Sequence, residues 1–88
     1  MNEPREHRIK RLKMRSMRRG IKEMDLILHR FAQDNLDTMD EAGLDLYDAM
    51  LSENDHDLYQ WVSGQNDVPE AYVGLISRII EQLPDVPA

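Results

Sequence analysis

Among the side chains of this 88-residue sequence that could do proton-transfer, nucleophilic or metal-binding chemistry are three histidines, four serines and seventeen acids. His7, His29 and His56 fall in three different segments and lack the spacing of a metal site. Ser16, Ser52, Ser63 and Ser77 have no base close by in sequence, and no Gly-rich loop is present to cradle a phosphate. Asp40, Glu41, Asp45 and Asp48 read as a solvated helix face rather than an acid–base pair. Asp34, Asp37, Asp40 and Glu41 do not form a calcium loop, because the required turn glycine is missing. Tyr59 and Trp61 stand two residues apart and so cannot stack a ligand from one helix face. Trp61 is expected in the core, with Tyr59 as its partly exposed neighbour. No catalytic residue and no metal ligand is assigned, and the chain is expected not to be an enzyme.

The forceful signal is charge. From Met1 to Lys22 the chain carries nine bases and two acids, a net +7; from Glu23 onward it carries fifteen acids and two bases, a net −13. The overall −6 hides a sharp electrostatic boundary near Gly20. Such asymmetry speaks of partners rather than fold. A basic helix bearing Arg8, Lys10, Arg11, Lys13, Arg15, Arg18 and Arg19 suits nucleic acid, since these groups displace counterions from phosphate. The acidic remainder would repel a polyanion, and no later helix resembles a base-reading element. A membrane-surface helix needs a wider apolar face than Ile9, Leu12 and Met17 supply. Such a run is also, most simply, a solvated helix face. Docking onto a protein is a further use, with Arg11 and Arg15 expected to speed the encounter.

These residues must be positioned by helices. Five are expected, and no segment alternates as a strand. The first runs from about Arg5 to Arg18, with Gly20 as its left-handed cap. The second runs from about Ile21 to Asp34 on a face of Ile21, Met24, Ile27, Leu28 and Phe31, and Asn35 stops it. Thr38 and Glu41 form a capping box for the third, whose inner face is Gly43, Leu46, Tyr47, Met50 and Leu51. Asp55 caps the fourth and Gly64 closes it. Asp67 caps the fifth, with Pro69 in its first turn and a stripe of Tyr72, Leu75, Ile76, Ile79, Ile80 and Leu83. The fold class is therefore all-α, a small five-helix bundle. Leu28, Phe31, Leu46, Met50, Leu58, Trp61, Leu75, Ile76 and Ile79 make its core. Residues 1–88 form a single domain: a basic helix over about 5–18, an acidic helical body over about 21–83 and a frayed tail over 84–88. There is no cysteine, and no apolar run approaches the roughly 18–20 residues that span a bilayer.

Arg19-Gly20-Ile21-Lys22-Glu23 followed by Asp25 resembles the RGxxE signature of the succinate dehydrogenase assembly factors that promote covalent flavin attachment. Glu53-Asn54-Asp55-His56-Asp57-Leu58-Tyr59-Gln60-Trp61 is similar to that family's acidic segment. The resemblance runs in order over about residues 8 to 82. It implies a small helical bundle that binds the flavoprotein subunit of succinate dehydrogenase, and in bacteria also that of fumarate reductase. It implies assistance to a bond between a partner histidine and the flavin 8α-methyl carbon. FAD would belong to the partner, and this chain would bind no cofactor stably. The implied contact residues are Arg15, Arg18, Arg19, Gly20, Ile21, Lys22, Glu23 and Asp25. The expected location is the bacterial cytoplasm. The mitochondrial matrix is disfavoured because no cleavable transit peptide is evident, Glu3 and Glu6 being unusual in one.

Overall fold

The first helix, α1 (Arg5–Arg15), buries only Ile9 and Leu12. Its charges follow the helix dipole, with Glu6 in the first turn and Lys13 and Arg15 in the last. It is followed by α2 (Lys22–Asn35), a short 3₁₀ turn (Leu36–Thr38), α3 (Glu41–Leu51), α4 (Asp55–Val62), a second 3₁₀ turn (Glu70–Tyr72) and α5 (Val73–Glu81). This computed structural model describes residues 3–83, and among them there is no strand. The five-helix all-α expectation holds. The tail expected over 84–88 lies outside the described residues.

Several boundaries differ from those expected, each for a local reason. The first helix ends at Arg15, three residues early. The Ser16 N–H and hydroxyl both donate to the Leu12 carbonyl, at 3.0 and 2.8 Å, and the next N–H, of Met17, turns to the Met14 carbonyl at 3.1 Å, a 3₁₀ bond that ends the α-helix. The left-handed residue is Arg18, at φ 57°, and not Gly20. Thr38 does not cap α3; its hydroxyl donates to the Asn35 carbonyl inside the 3₁₀ turn. Asp40 caps instead, accepting from the Gly43 N–H at 2.8 Å. Asn54, not Asp55, caps α4 by accepting from the His56 N–H at 2.8 Å. Asp67 and Pro69 do not open an α-helix. Pro69 leads into the 3₁₀ turn, closed by the Tyr72 N–H on the Pro69 carbonyl, and α5 starts only at Val73. Gly64 does close α4, in the left-handed conformation at φ 79°.

The core draws on all five helices. Eight of the nine residues expected there are buried; Leu46 is only half-buried. Leu44 takes that place, because Leu44, Tyr47 and Leu51 repeat at three- and four-residue spacing while Leu46 sits a hundred degrees off that stripe. Trp61 is buried against Tyr72, ring centroids 5.9 Å apart. Ile80, expected in the α5 stripe, is exposed. Asn35 ends α2 with a satisfied amide: its nitrogen donates to the Phe31 carbonyl at 2.9 Å, and the two amides of Asn35 and Gln82 bond reciprocally.

What α1 lacks in apolar contact it makes up in charge. Arg5 pairs with Glu41 at 3.0 Å, and Arg8 bonds Glu41 at 3.2 Å and also Asp45. Arg11 bridges Glu3 at 3.0 Å and Asp48 at 3.2 Å, and Arg15 also binds Asp48. Lys13 reaches Asp37 at 3.3 Å. The bond from Arg11 holds the Glu3 carboxyl below its usual range. The basic run is thus largely neutralised by acids of the same chain, most of them more than twenty residues away, although Arg5 and Arg11 stay 40% exposed.

Beneath this seam the Tyr47 and Ser16 hydroxyls share a buried hydrogen bond. Burial pushes the Tyr47 phenol up to about 12 from 10.0, against the pull of the Ser16 bond and the charges of Arg19 and Arg15.

Two outcomes are expected. The unfolded chain releases the Tyr47 proton near 10 and the folded chain near about 12, so the folded state holds more protons in between. Stability is then fully present below pH 10 and falls as pH rises through that window, by at most about 1.4 kcal/mol per pH unit. Tyr47→Phe should flatten this decline in thermal melts; an unaltered slope would assign it to other groups. Separately, Arg11→Glu with Arg15→Glu should lower stability by about 2 kcal/mol in urea unfolding, by facing like charge across the seam. Lys10→Glu, exposed and without a partner among the described residues, should stay within about 0.5 kcal/mol of the parent chain.

Candidate functional site

The segment from Arg15 to Asp25 turns the chain from α1 into α2. Ser16 anchors its start in the core, and Ile21, extended at φ −117° and half-buried, anchors its end. Ile21 occupies the N-cap position of α2 with no side-chain cap bond. Glu23 and Asp25 lie in the first turn, where the helix dipole favours negative charge.

The eight residues expected to meet a partner divide into two groups. Arg18, Gly20, Lys22 and Glu23 are exposed. Among the described residues Arg18 and Lys22 have no acidic partner within ion-pair distance. Arg15 and Arg19 instead turn inward. Arg15 binds Asp48 and donates to the Ser52 hydroxyl at 3.2 Å. The Arg19 side chain is only 12% exposed. Its Nε donates to Asp55 Oδ1 at 2.8 Å, and Nη2 lies 2.6 Å from the same oxygen. Its two terminal nitrogens also donate to the Arg15 and Leu51 carbonyls, each at 3.1 Å. Ile21 packs on the core, and Asp25 is half-buried. The expectation that Arg11 and Arg15 lead an electrostatic encounter is not supported by this arrangement, since both are committed within the chain.

Asp55 is the residue of this candidate site that sequence reasoning misassigned. It accepts from Arg19 on one oxygen and from the Gly20 N–H on the other. The signal was present: Asn54, immediately before it, is an equally good cap and leaves the Asp55 carboxylate without a local task. A second unforeseen feature is Leu26, 62% exposed on α2. With Glu23, Ile27, Tyr59, Val62 and Leu83 it lines an open groove of about 320 Å³. The Glu23 carboxylate therefore stands on the rim of a largely apolar depression.

The three histidines lie apart, His7 and His56 exposed and His29 half-buried. Among the described residues no group of three or more His, Cys, Asp or Glu side chains could hold a metal ion. No helix among them is long and apolar enough to cross a membrane.

The family described as the flavinator of succinate dehydrogenase (Sdh5) matches residues 10–85. A protein of Meyerozyma guilliermondii is 46% identical over 66 residues, covering 75% of this chain and 49% of its own length. One of Schizosaccharomyces pombe is 41% identical over 81 residues, covering 92% of this chain and 57% of its own length. One of Danio rerio is 36% identical over 75 residues, covering 83% of this chain and 48% of its own length. Each is named "Succinate dehydrogenase assembly factor 2, mitochondrial". The chain spans about half the length of these relatives. Their names overturn the expected bacterial cytoplasmic location. That expectation leaned on the look of the N-terminus, which a match to half of a longer protein deprives of weight. The match over residues 10–85 takes in both the Arg19–Glu23 signature and the Glu53–Trp61 segment, and the chain belongs to the succinate dehydrogenase flavinator family.

Proposed function

We propose that this chain, acting as a single domain, binds the flavoprotein subunit of succinate dehydrogenase and promotes covalent attachment of FAD to a histidine of that subunit. The flavoprotein of fumarate reductase, where present, is a second substrate of the same kind. The bond formed joins a ring nitrogen of the partner's histidine to the 8α carbon of the partner's flavin. An 8α C–H and the histidine N–H are broken, and their two electrons and two protons pass to the flavin ring. The ring is left as the covalently attached reduced flavin and is reoxidised in the partner's own turnover. Both reacting groups belong to the partner, so this chain acts as an assembly factor and not as an enzyme. Its contribution is orientation: holding two protein segments in a reactive geometry removes much of the entropic part of a barrier.

The observation that carries this reading is the position of the family signature. Arg19–Glu23 lies at the junction of α1 and α2, where Gly20, Lys22 and Glu23 are exposed beside an apolar groove. The contact surface is Arg18, Gly20, Lys22 and Glu23, with Arg15, Arg19, Ile21 and Asp25 holding its shape. Exposed polar loop residues placed by a rigid scaffold are where binding function concentrates. The nucleic-acid alternative loses support because, among the described residues, six of the nine N-terminal cations are paired, leaving Lys10, Arg18 and Lys22.

Glu23 gives the test. It makes no side-chain hydrogen bond among the described residues, and as a first-turn acid it is worth about 0.3–1 kcal/mol to α2. Glu23→Ala should therefore melt within a few degrees of the parent chain, while covalent flavin loading of the coexpressed flavoprotein drops roughly tenfold or more, as expected of a contact hot spot. In-gel flavin fluorescence reads the second quantity. Full loading by a folded Glu23→Ala chain would remove this residue from the contact surface.

A further inference from the structure

We propose that Asp55 is a positioning residue that sets the shape of the Arg18–Gly20 loop, and that the loop's glycine is required because of Asp55. This rests on the reading of that loop as the contact surface.

The loop leaves the core at Ser16 and rejoins it at Ile21. Between them Arg18 sits in the left-handed region, which a side chain as long as arginine adopts only when its surroundings hold it there. Among the described residues Asp55 is the only side chain from another element bonded to Arg19 or Gly20. Its two oxygens divide the task. Oδ1 takes the Arg19 guanidinium, and Oδ2 takes the Gly20 N–H. Arg19 extends the tie to the ends of α1 and α3 through the Arg15 and Leu51 carbonyls. The Asp55 carboxylate is 16% exposed; its bond to the Arg19 guanidinium is partly buried, and its bond to the Gly20 N–H lies at the surface.

Asp55 is not needed to begin its own helix, because Asn54 supplies the cap. Nor is Gly20 needed for its backbone angle, since the loop's positive φ belongs to Arg18. What a side chain at position 20 would meet is Asp55 itself. A Cβ built there lies 3.1 Å from Oδ2, tighter than ordinary contact with an oxygen of a carboxylate that Arg19 already holds in place. The Arg19–Glu23 signature and the acidic 53–61 segment, far apart in sequence, are on this view one unit joined at a single carboxylate.

The expected consequence is that Gly20 and Asp55 act as a pair. Asp55→Ala, Gly20→Ala and the double variant form a cycle, measured on the full chain in three ways. The first is the shift and hydrogen exchange of the backbone amide at position 20, which needs no partner. The second is thermal melting. The third is affinity for the purified succinate dehydrogenase flavoprotein subunit, corrected to the folded fraction. Asp55→Ala should move the Gly20 amide upfield and speed its exchange about tenfold or more. Each single variant should lose affinity per folded molecule, and the double should lose no more than Asp55→Ala alone, because residues in direct contact are not additive. Asp55→Asn keeps an acceptor for the amide and should fall between parent and Asp55→Ala. Should Asp55→Ala not fold, the cycle of Asp55→Asn with Gly20→Ala makes the same comparison. An unmoved Gly20 amide, or additive losses in affinity, would overturn the proposal. A purely stabilising Asp55 would lower melting and leave affinity per folded molecule intact, which also overturns it. If Asp55 controls the Gly20 amide but the parent chain does not bind the flavoprotein, the positioning holds and the proposed partner fails.

Discussion

The attachment of α1 through charge is the constraint on which the arrangement depends. Only Ile9 and Leu12 of this eleven-residue helix are buried, far fewer apolar contacts than a bundle helix normally supplies. Its cations lie along α3 instead, with Glu41, Asp45 and Asp48 as a facing row. Single exposed pairs of this kind contribute roughly 0–1 kcal/mol, but shared carboxylates form a network in which each partner is held by its neighbours. Glu41 takes two arginines and Asp48 takes two more. The segregated charge of the sequence, +7 then −13, is thereby folded onto itself.

That constraint also fixes the end of the molecule proposed as the contact surface. With α1 held on α3, its last turn and the last turn of α3 come within reach of one guanidinium, and Arg19 joins both to the start of α4. The loop's outward residues can then be few and exposed, because its inward residues carry the geometry. An arginine suits this place: its planar fork satisfies a carboxylate and two carbonyls at once, which a lysine ammonium would not orient as well. Signature residues so divided have different tasks, and a change at Arg19 strains the scaffold where a change at Glu23 alters only its surface.

Helix number and the apolar stripes were legible because three- and four-residue spacing is a local property: Leu28 and Phe31, Leu58 and Trp61, Leu75 and Ile79 all lie where it places them. Cap identity was not. Asp37, Thr38 and Asp40 are near-equivalent candidates, as are Asn54 and Asp55, and the choice is made by contacts outside the window. Glu41 and Asp55 are drawn to arginines 33 or more residues away, leaving Asp40 and Asn54 to cap. The basic run misled for the same reason. Its spacing says that a charged face exists, and only the fold says that another helix covers it. At the candidate site, the signature marked out the loop, and the inward turn of Arg15 and Arg19 depended on partners no local pattern contains.

The thin apolar contact of α1 has a further consequence, in how the fold opens. A protein's elements do not open with equal free energy; those with few buried apolar contacts open first, as cooperative units below the cost of global unfolding. In this chain α1, with only Ile9 and Leu12 buried, is the element that rule selects. Its release would uncover Leu12 and the Tyr47 hydroxyl while α2 to α5 keep the Leu28, Phe31, Trp61 and Ile76 contacts. Ionic strength weakens the seam and leaves the apolar core nearly untouched, so salt acts on the partly open population more than on the unfolded one. In that population Arg5, Arg8, Arg11, Lys13 and Arg15 would be released from their carboxylates together, and the molecule would carry for the duration of each opening a cationic segment that its native form neutralises.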